Sequence, residues 1–150
     1  MPKPSTGLLL TTLLVGFLTL LAPPPNTANA NPMISKINDY RRGHGLRPLR
    51  ASPRLLRSSK GYARRLMRAN RLAHASGSRP FRPFSAAGEI LALQRGWHVR
   101  RAAAVRAWLR SPSHRSIVLS RRFGWAGAGL SRGRFGSWRS SIWVVRFGRR

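Results

Sequence analysis

Among the side chains that could bind a ligand, His114 is the one whose position in the fold the local sequence predicts most clearly. Ser111 and Pro112 precede it. This order is typical of a helix start, where the serine side chain accepts a backbone N–H bond and proline gives up a donor that would have no partner. The partial positive charge of a helix N-terminus disfavours the imidazolium form. The sequence therefore predicts a neutral His114 ring that can accept a hydrogen bond or bind a metal ion.

A shortage of acidic residues limits the chemistry of the chain. Its 150 residues include only two acids, Asp39 and Glu89, and Asp39 falls within a predicted helix. Glycoside hydrolysis needs two carboxyl groups flanking one bond, so that class is disfavoured. The sequence also has no cysteine, no Gly-x-Ser-x-Gly elbow and no ordered Ser–His–acid pattern. Enzymatic activity is therefore an open alternative that no pattern of residues supports.

The basic residues give the chain an extreme net charge. Lys and Arg number 29, and the formal net charge is +27. Such a field attracts anionic polymers and surfaces non-specifically, and this affinity falls steeply with salt. The basic residues are spread along the chain and match no known class of nucleic-acid reader, so we expect no specific nucleic acid.

Residues 1–30 have the features of an export signal. Lys3 is followed by an apolar run, Gly7–Ala22, and by a small-x-small cleavage site at Ala28–Ala30. The run is shorter than the roughly 20 residues of a bilayer span. We predict cleavage after Ala30, which leaves one secreted domain, residues 31–150, without a stable membrane span. An uncleaved N-terminal anchor is the alternative.

Apolar spacing predicts helices over most of the mature chain. The first helix covers residues 33–42 and ends at Gly43, and the second begins at Ser52-Pro53. A long loop follows at residues 71–88, then a helix at residues 99–110 and the helix that carries His114. The predicted buried faces of the second and third helices are Leu55, Leu56, Ser59, Tyr62, Ala63, Leu66 and Met67, and Ala102, Val105, Trp108 and Leu109.

The C-terminal region changes to small, aromatic and β-branched residues. This composition predicts two antiparallel strands, Trp125–Arg132 and Ser137–Phe147, around a Gly-rich turn at residues 132–136. Helices followed by a hairpin indicate an α+β layer fold.

The segment Ala107–Ser120 resembles the signature of bacterial secreted proteins of the CAP superfamily (cysteine-rich secretory, antigen 5 and pathogenesis-related-1 proteins). That signature reads roughly A-W-x-x-S-P-x-H-R-x-x-I-L. The resemblance covers about residues 33–148, because other segments follow the family's order: Ile37–Leu49, His74 in a loop, Ala87–Ile90 and the terminal strands. It implies a three-layer α-β-α sandwich. The absence of cysteine fits the bacterial branch.

The resemblance also implies a site. CAP domains have a cleft lined by two histidines and two acids, and in some members the histidines bind a divalent metal such as zinc. By position, His74 is the first histidine, Glu89 is the acid of the family's Gly-Glu-Asn motif, and His114 is the second histidine. His74 and His114 would be the metal ligands. Three positions depart from the family pattern: Ile90, Ile117 and Trp125.

The leading hypothesis is a non-enzymatic secreted protein that binds an extracellular ligand (lipid, glycan or protein) through His74, Glu89 and His114. One alternative is a zinc-dependent hydrolase in which Glu89 acts as general base through bound water. Another is a polycationic envelope-binding or antimicrobial protein. Each site residue also has a structural interpretation: His114 as part of a helix cap, Glu89 as an ion-pair partner of an arginine, and His74 as a surface loop residue.

Overall fold

The computed structural model describes residues 31–77 and 81–150. The predicted export signal, residues 1–30, lies outside the described residues, as do three positions of the predicted loop. The elements in chain order are α1 (Pro32–Gly43), β1 (Arg50–Ala51), α2 (Pro53–Arg68), β2 (Ala86–Arg95), α3 (Arg101–Arg110), α4 (Pro112–Val118), β3 (Trp125–Phe135) and β4 (Trp138–Arg149).

Four strands form a mixed sheet in the order β1-β3-β4-β2. Strand β4 lies between β3 and β2 and is antiparallel to both, whereas β1 pairs with β3 in parallel. Successive side chains of a strand point to opposite faces, so β4 supplies both sides of the sheet. Trp143, Val145 and Phe147 pack with helices α1, α3 and α4. Ile142 and Val144 pack with α2. The predicted three-layer α-β-α sandwich is confirmed.

Helix α2 approaches the sheet closely because two glycines of β3 lie beneath it. A Cβ atom on Gly127 would lie 2.1 Å from the backbone nitrogen of Leu56, and one on Gly129 would lie 2.2 Å from that of Lys60. Ser59 Oγ donates to the Gly127 carbonyl at 2.9 Å. Helix α2 therefore packs backbone against backbone, and this fixes where its side chains emerge along the sheet.

Buried polar side chains join α1 to the loops around it. Asn38 Nδ2 donates to the Leu49 carbonyl at 3.0 Å and Asn38 Oδ1 accepts the Leu49 N–H at 2.8 Å. Arg41 Nη1 donates to the carbonyls of Val118, at 2.7 Å, and Ser120, at 3.0 Å, beyond the end of α4. These bonds connect α1 to the segment before β1 and to the C-terminal end of α4.

The predicted helices are present, with local differences. Ser52 caps α2 as expected, since its Oγ accepts the Leu55 N–H at 3.3 Å. The predicted cap of α4 by Ser111 is wrong, because its hydroxyl makes no backbone capping bond. Leu56, assigned to the buried face of α2, is 37% exposed. In α3 the buried residues are Ala104, Val105 and Trp108, while Ala102 and Leu109 are half-buried.

Strands β1 and β2 have no counterpart among the predicted elements. Within β2, Ile90 and Leu91 are buried on opposite faces, so the segment lacks the alternation that identifies a strand. The hairpin strands are longer than predicted, and the turn between them narrows to Gly136-Ser137. Gly136 adopts a φ of +57°, which favours glycine at this tight turn.

Candidate functional site

A buried ion pair lies on the face of the sheet that packs against α2. Glu89 of β2 and Arg146 of β4 are direct partners in the antiparallel ladder, and Arg146 Nε donates to Glu89 Oε2 at 2.9 Å. The side chains are 6% and 1% exposed, respectively. Burial of an unpaired charge destabilises the folded state, so each of these two side chains requires the opposite charge of the other in order to be buried.

Aromatic rings enclose the Arg146 guanidinium. Its carbon lies 4.7 Å from the centroid of the Tyr62 ring and 5.1 Å from that of Phe81. Nη1 donates to Ser58 Oγ on α2. Nη2 is buried and has no hydrogen-bond partner among the described residues. Arg146 thus connects the sheet, α2 and the loop before β2.

The second oxygen of the Glu89 carboxylate holds the loop that carries His74. Glu89 Oε1 accepts the Ala75 N–H at 2.9 Å and lies 3.1 Å from His74 Nδ1. The Tyr62 hydroxyl donates to the Ala73 carbonyl at 2.8 Å. The His74 side chain remains 59% exposed. Glu89 therefore binds Arg146 through one carboxylate oxygen and the His74 loop through the other. The His74 ring itself is exposed to solvent.

His114 is in the first turn of α4, where its Nδ1 lies 2.9 Å from Ser111 Oγ. The Ser111 hydroxyl binds the imidazole in place of the backbone N–H that we predicted. Burial, and secondarily the positive charge of His74, lower the pKa of His114 below its ordinary value. A neutral ring near pH 7 agrees with the prediction, although the structure attributes it to burial and His74.

The structure brings two of the three predicted site residues into direct contact. His74 and Glu89 meet, whereas His114 interacts with His74 through charge and makes no hydrogen bond to either residue within the described part of the chain. Both histidines use Nδ1 for their protein contacts. Nε2 is the ring nitrogen that these contacts leave unused.

A catalytic zinc centre does not fit these residues. Such centres use three protein ligands, and residues 31–77 and 81–150 contain no group of three His, Cys, Asp or Glu side chains placed to hold a metal ion. Both Glu89 oxygens already accept hydrogen bonds, so this carboxylate is poorly placed to act as a general base. Within residues 31–77 and 81–150, the two predicted metal ligands, His74 and His114, have no third ligand of these types beside them.

The proximity of the two histidines is testable by titration. We expect NMR to place the pKa of His114 below the ordinary value of about 6.5, and replacement of His74 by Ala to raise it, since one of its two causes is removed. The unfolded chain then binds the proton first as pH falls, so His114 lowers stability at acid pH. His44→Ala, which alters an exposed histidine on α1's C-terminal turn, is the control. An unchanged His114 titration in His74→Ala would contradict the arrangement.

A cleft of about 880 Å³ opens beside His74, between α2 and the loop before β2. Its polar lining includes Tyr62, His74 and Arg146, and its apolar lining includes Leu66 and small alanines. Three further arginines line it: Arg57, Arg65 and Arg71. Arg65 stacks over the Tyr62 ring at 4.9 Å. Of the three predicted cleft residues, His74 lines this cleft, whereas Glu89 and His114 do not. The Glu89 carboxylate pairs with Arg146 alone among the cleft arginines, so the cleft has an excess of positive charge.

Sequence reasoning missed Arg146 and the cleft arginines. The available signal was Arg146 itself, a charged residue within the apolar run from Ile142 to Phe147. Tyr62 was predicted only as a buried helix residue. The atypical positions prove to be structural: Ile90 is in the core and Ile117 packs against it. Trp125 stacks with Arg150 at 4.7 Å.

Solved structures with the same fold come from bacteria and animals. An outer surface protein from Borrelia burgdorferi is 26% identical with a TM-score of 0.64, and the match covers 79% of this chain and 90% of that one. An extracellular protein containing an SCP domain from Bacillus anthracis is 24% identical with a TM-score of 0.61, covering 79% of this chain and 39% of that one. The venom allergen-like protein 4 of Schistosoma mansoni is 13% identical with a TM-score of 0.57, covering 78% and 83%.

No curated protein sequence matches the chain. No helix within residues 31–77 and 81–150 combines the length and apolar character needed to cross a bilayer. The family model for the cysteine-rich secretory protein family, CAP, matches residues 34–147. Proteins with this domain are typically extracellular. A match over most of its length places the chain in the cysteine-rich secretory protein (CAP) family.

Proposed function

We propose that this CAP protein is exported and binds an extracellular ligand with an anionic group in the cleft beside His74. The observation that carries the proposal is the charge of the cleft. Arg57, Arg65 and Arg71 line it, and the acid beneath the loop, Glu89, does not line it and is paired with Arg146. Arginine binds carboxylate and phosphate groups through paired N–H donors.

The apolar part of the lining supports a ligand that is more than a free anion. Leu66, three alanines and the Tyr62 ring share the cleft with the arginines. Pockets that combine apolar walls with a few polar groups favour amphiphilic molecules. We therefore propose an anionic head group at the arginines and an apolar tail along α2. His74 contributes a hydrogen bond at the cleft wall.

The proposed role is binding without catalysis. A general base needs an oxygen that is open to a proton, and both oxygens of Glu89 are engaged within the protein. No contact among the described residues favours the hydrolase alternative. The polycationic alternative requires no cleft. It predicts that removal of arginines weakens binding equally inside and outside the cleft, so variants with the same change in net charge distinguish the two.

Octyl phosphate, with octanol as the neutral equivalent, tests the proposal by calorimetry on protein produced from the full-length sequence. We expect octyl phosphate to bind and Arg65→Gln/Arg71→Gln to weaken it about tenfold, because charge-assisted hydrogen bonds contribute on the order of 1.5–3 kcal/mol before screening. The matched control is Arg121→Gln/Arg122→Gln, which removes two exposed arginines of the segment between α4 and β3, away from the cleft.

Equal weakening in both variants would show that diffuse charge governs binding and would reject the cleft. Zinc is titrated in parallel with wild-type protein and with His74→Ala/His114→Ala. Saturable zinc binding that is lost in the double variant would support the two-histidine metal alternative.

A further inference from the structure

Two exposed tryptophans lie at the end of the sheet where β4 begins. Trp138 is the first residue of β4 and is 56% exposed, and Trp97 follows β2 and is 51% exposed. The Gly96 N–H donates to the Arg139 carbonyl at 2.7 Å, so the segment after β2 is tied to the start of β4. Large aromatic side chains are usually buried on folding, so this pair requires an explanation.

Each tryptophan is stacked with an arginine from the neighbouring strand or segment. The Arg95 guanidinium carbon lies 4.3 Å from the Trp138 ring centroid, and that of Arg139 lies 4.8 Å from the Trp97 centroid. Both arginines are exposed. We call Arg95, Trp97, Trp138 and Arg139 the Arg–Trp tip. Stacking uses the guanidinium face and leaves its N–H edge directed outward, where it can bind an anionic oxygen.

The charge around the Arg–Trp tip is uniformly positive. Arg132 and Arg134, at the end of β3, are also exposed and lie across from Ser141 and Arg139 in the ladder with β4. The two acids of the whole sequence lie elsewhere, Asp39 on α1 and Glu89 in the interior. The tip therefore combines amphipathic rings with unopposed arginines.

This combination matches one kind of surface. Tryptophan favours the boundary between lipid head groups and acyl chains, where its ring is apolar and its N–H is hydrated. Basic residues near an anionic leaflet each contribute about 1 kcal/mol, or about fivefold in affinity. A soluble polyanion without aromatic groups would use the arginines but would leave the two rings without an apolar environment. We infer that the Arg–Trp tip docks the protein on an anionic lipid bilayer, with Trp97 and Trp138 at the head-group level.

The inference is independent of the cleft, since none of the four tip residues lines it. Binding to vesicles of phosphatidylglycerol and phosphatidylcholine at physiological salt tests it. We expect Arg95→Gln/Arg139→Gln to weaken binding about 30-fold. Arg121→Gln/Arg122→Gln makes the same change in net charge just before β3, at the opposite end of the sheet. It should weaken binding less than about threefold, because those arginines lie away from the tip. Equal losses in the two variants would overturn the docking site.

The tryptophans are tested directly with brominated lipids, which quench fluorescence at the acyl-chain level. We expect quenching in the wild type that disappears in Trp97→Ala/Trp138→Ala, together with about tenfold weaker vesicle binding. The three remaining tryptophans serve as unquenched references: Trp108 and Trp143 are buried, and Trp125 lies at the opposite end of the sheet. A wild type that binds vesicles without quenching would reject insertion of the rings. Octyl phosphate binding should be unchanged in the tip variants, so failure of the tip and failure of the cleft are distinguishable.

Discussion

Replacement of Glu89 by Gln should lower the free energy of unfolding by about 3–5 kcal/mol, because it leaves the Arg146 charge buried without a counter-charge. The Arg146 side chain is 1% exposed and its Nε bonds to Glu89 Oε2. The amide also gives weaker hydrogen bonds to the Ala75 N–H and to His74. Urea denaturation measures the change, and hydrogen exchange at Ala75 reports the release of the loop.

Asp39→Asn is the matched control for Glu89→Gln. It makes the same acid-to-amide change in the only other acid of the chain. Asp39 pairs with Arg42 at 2.6 Å, but both side chains are more than half exposed. Exposed pairs contribute little, so we expect a change within about 1 kcal/mol. If the two variants lost equal stability, the buried pair would not be what stabilises this part of the fold.

Replacement of Gly127 by Ala should destabilise the domain by about 3 kcal/mol or more. The added Cβ would fall 2.1 Å from the Leu56 nitrogen and 2.4 Å from the Leu55 carbonyl carbon. Both are backbone atoms of α2, so no side-chain rotation relieves the clash and the helix must move. Thermal and urea denaturation measure the loss. Because displacement of α2 also moves Tyr62 and Arg65, octyl phosphate binding should weaken as well.

Gly61→Ala provides the control of opposite sign. Gly61 lies within α2, and a Cβ there meets nothing within 4 Å. Alanine in a helix interior is favoured over glycine by about 0.5–1 kcal/mol, so this variant should be slightly more stable than the wild type. A neutral Gly127→Ala would mean that α2 does not depend on the close approach.

The helices were predictable from sequence because each buries one face, and a buried helix face requires apolar residues at a spacing of three to four. Ser52-Pro53 fixed the start of α2 through a local hydrogen bond. Strand β2 was not predictable in this way, because only its centre, Glu89–Leu91, is buried and it is buried on both faces, so its apolar residues do not alternate along the strand. Register is likewise absent from local patterns, since it depends on which strands pair.

The candidate site was likewise predictable only in part. The motif order suggested His74 and Glu89, and the two side chains do meet. Arg146 is 57 residues from Glu89 in sequence, and only the ladder between β2 and β4 makes them partners. The cleft arginines are a few among 29 basic residues, and only the position of α2 and the loop distinguishes them from the others. Tertiary placement, which local spacing does not encode, therefore determines the chemistry of the cleft.

The polar bonds of Asn38 and Arg41 have a further consequence. They join α1 to Leu49 and to the end of α4 through side-chain and backbone atoms alone. Since the chain contains no cysteine, none of its long-range connections is a bond that a thiol reductant can break. The folded state of this domain therefore does not depend on disulfide bonds, and a thiol reductant should leave its free energy of unfolding unchanged.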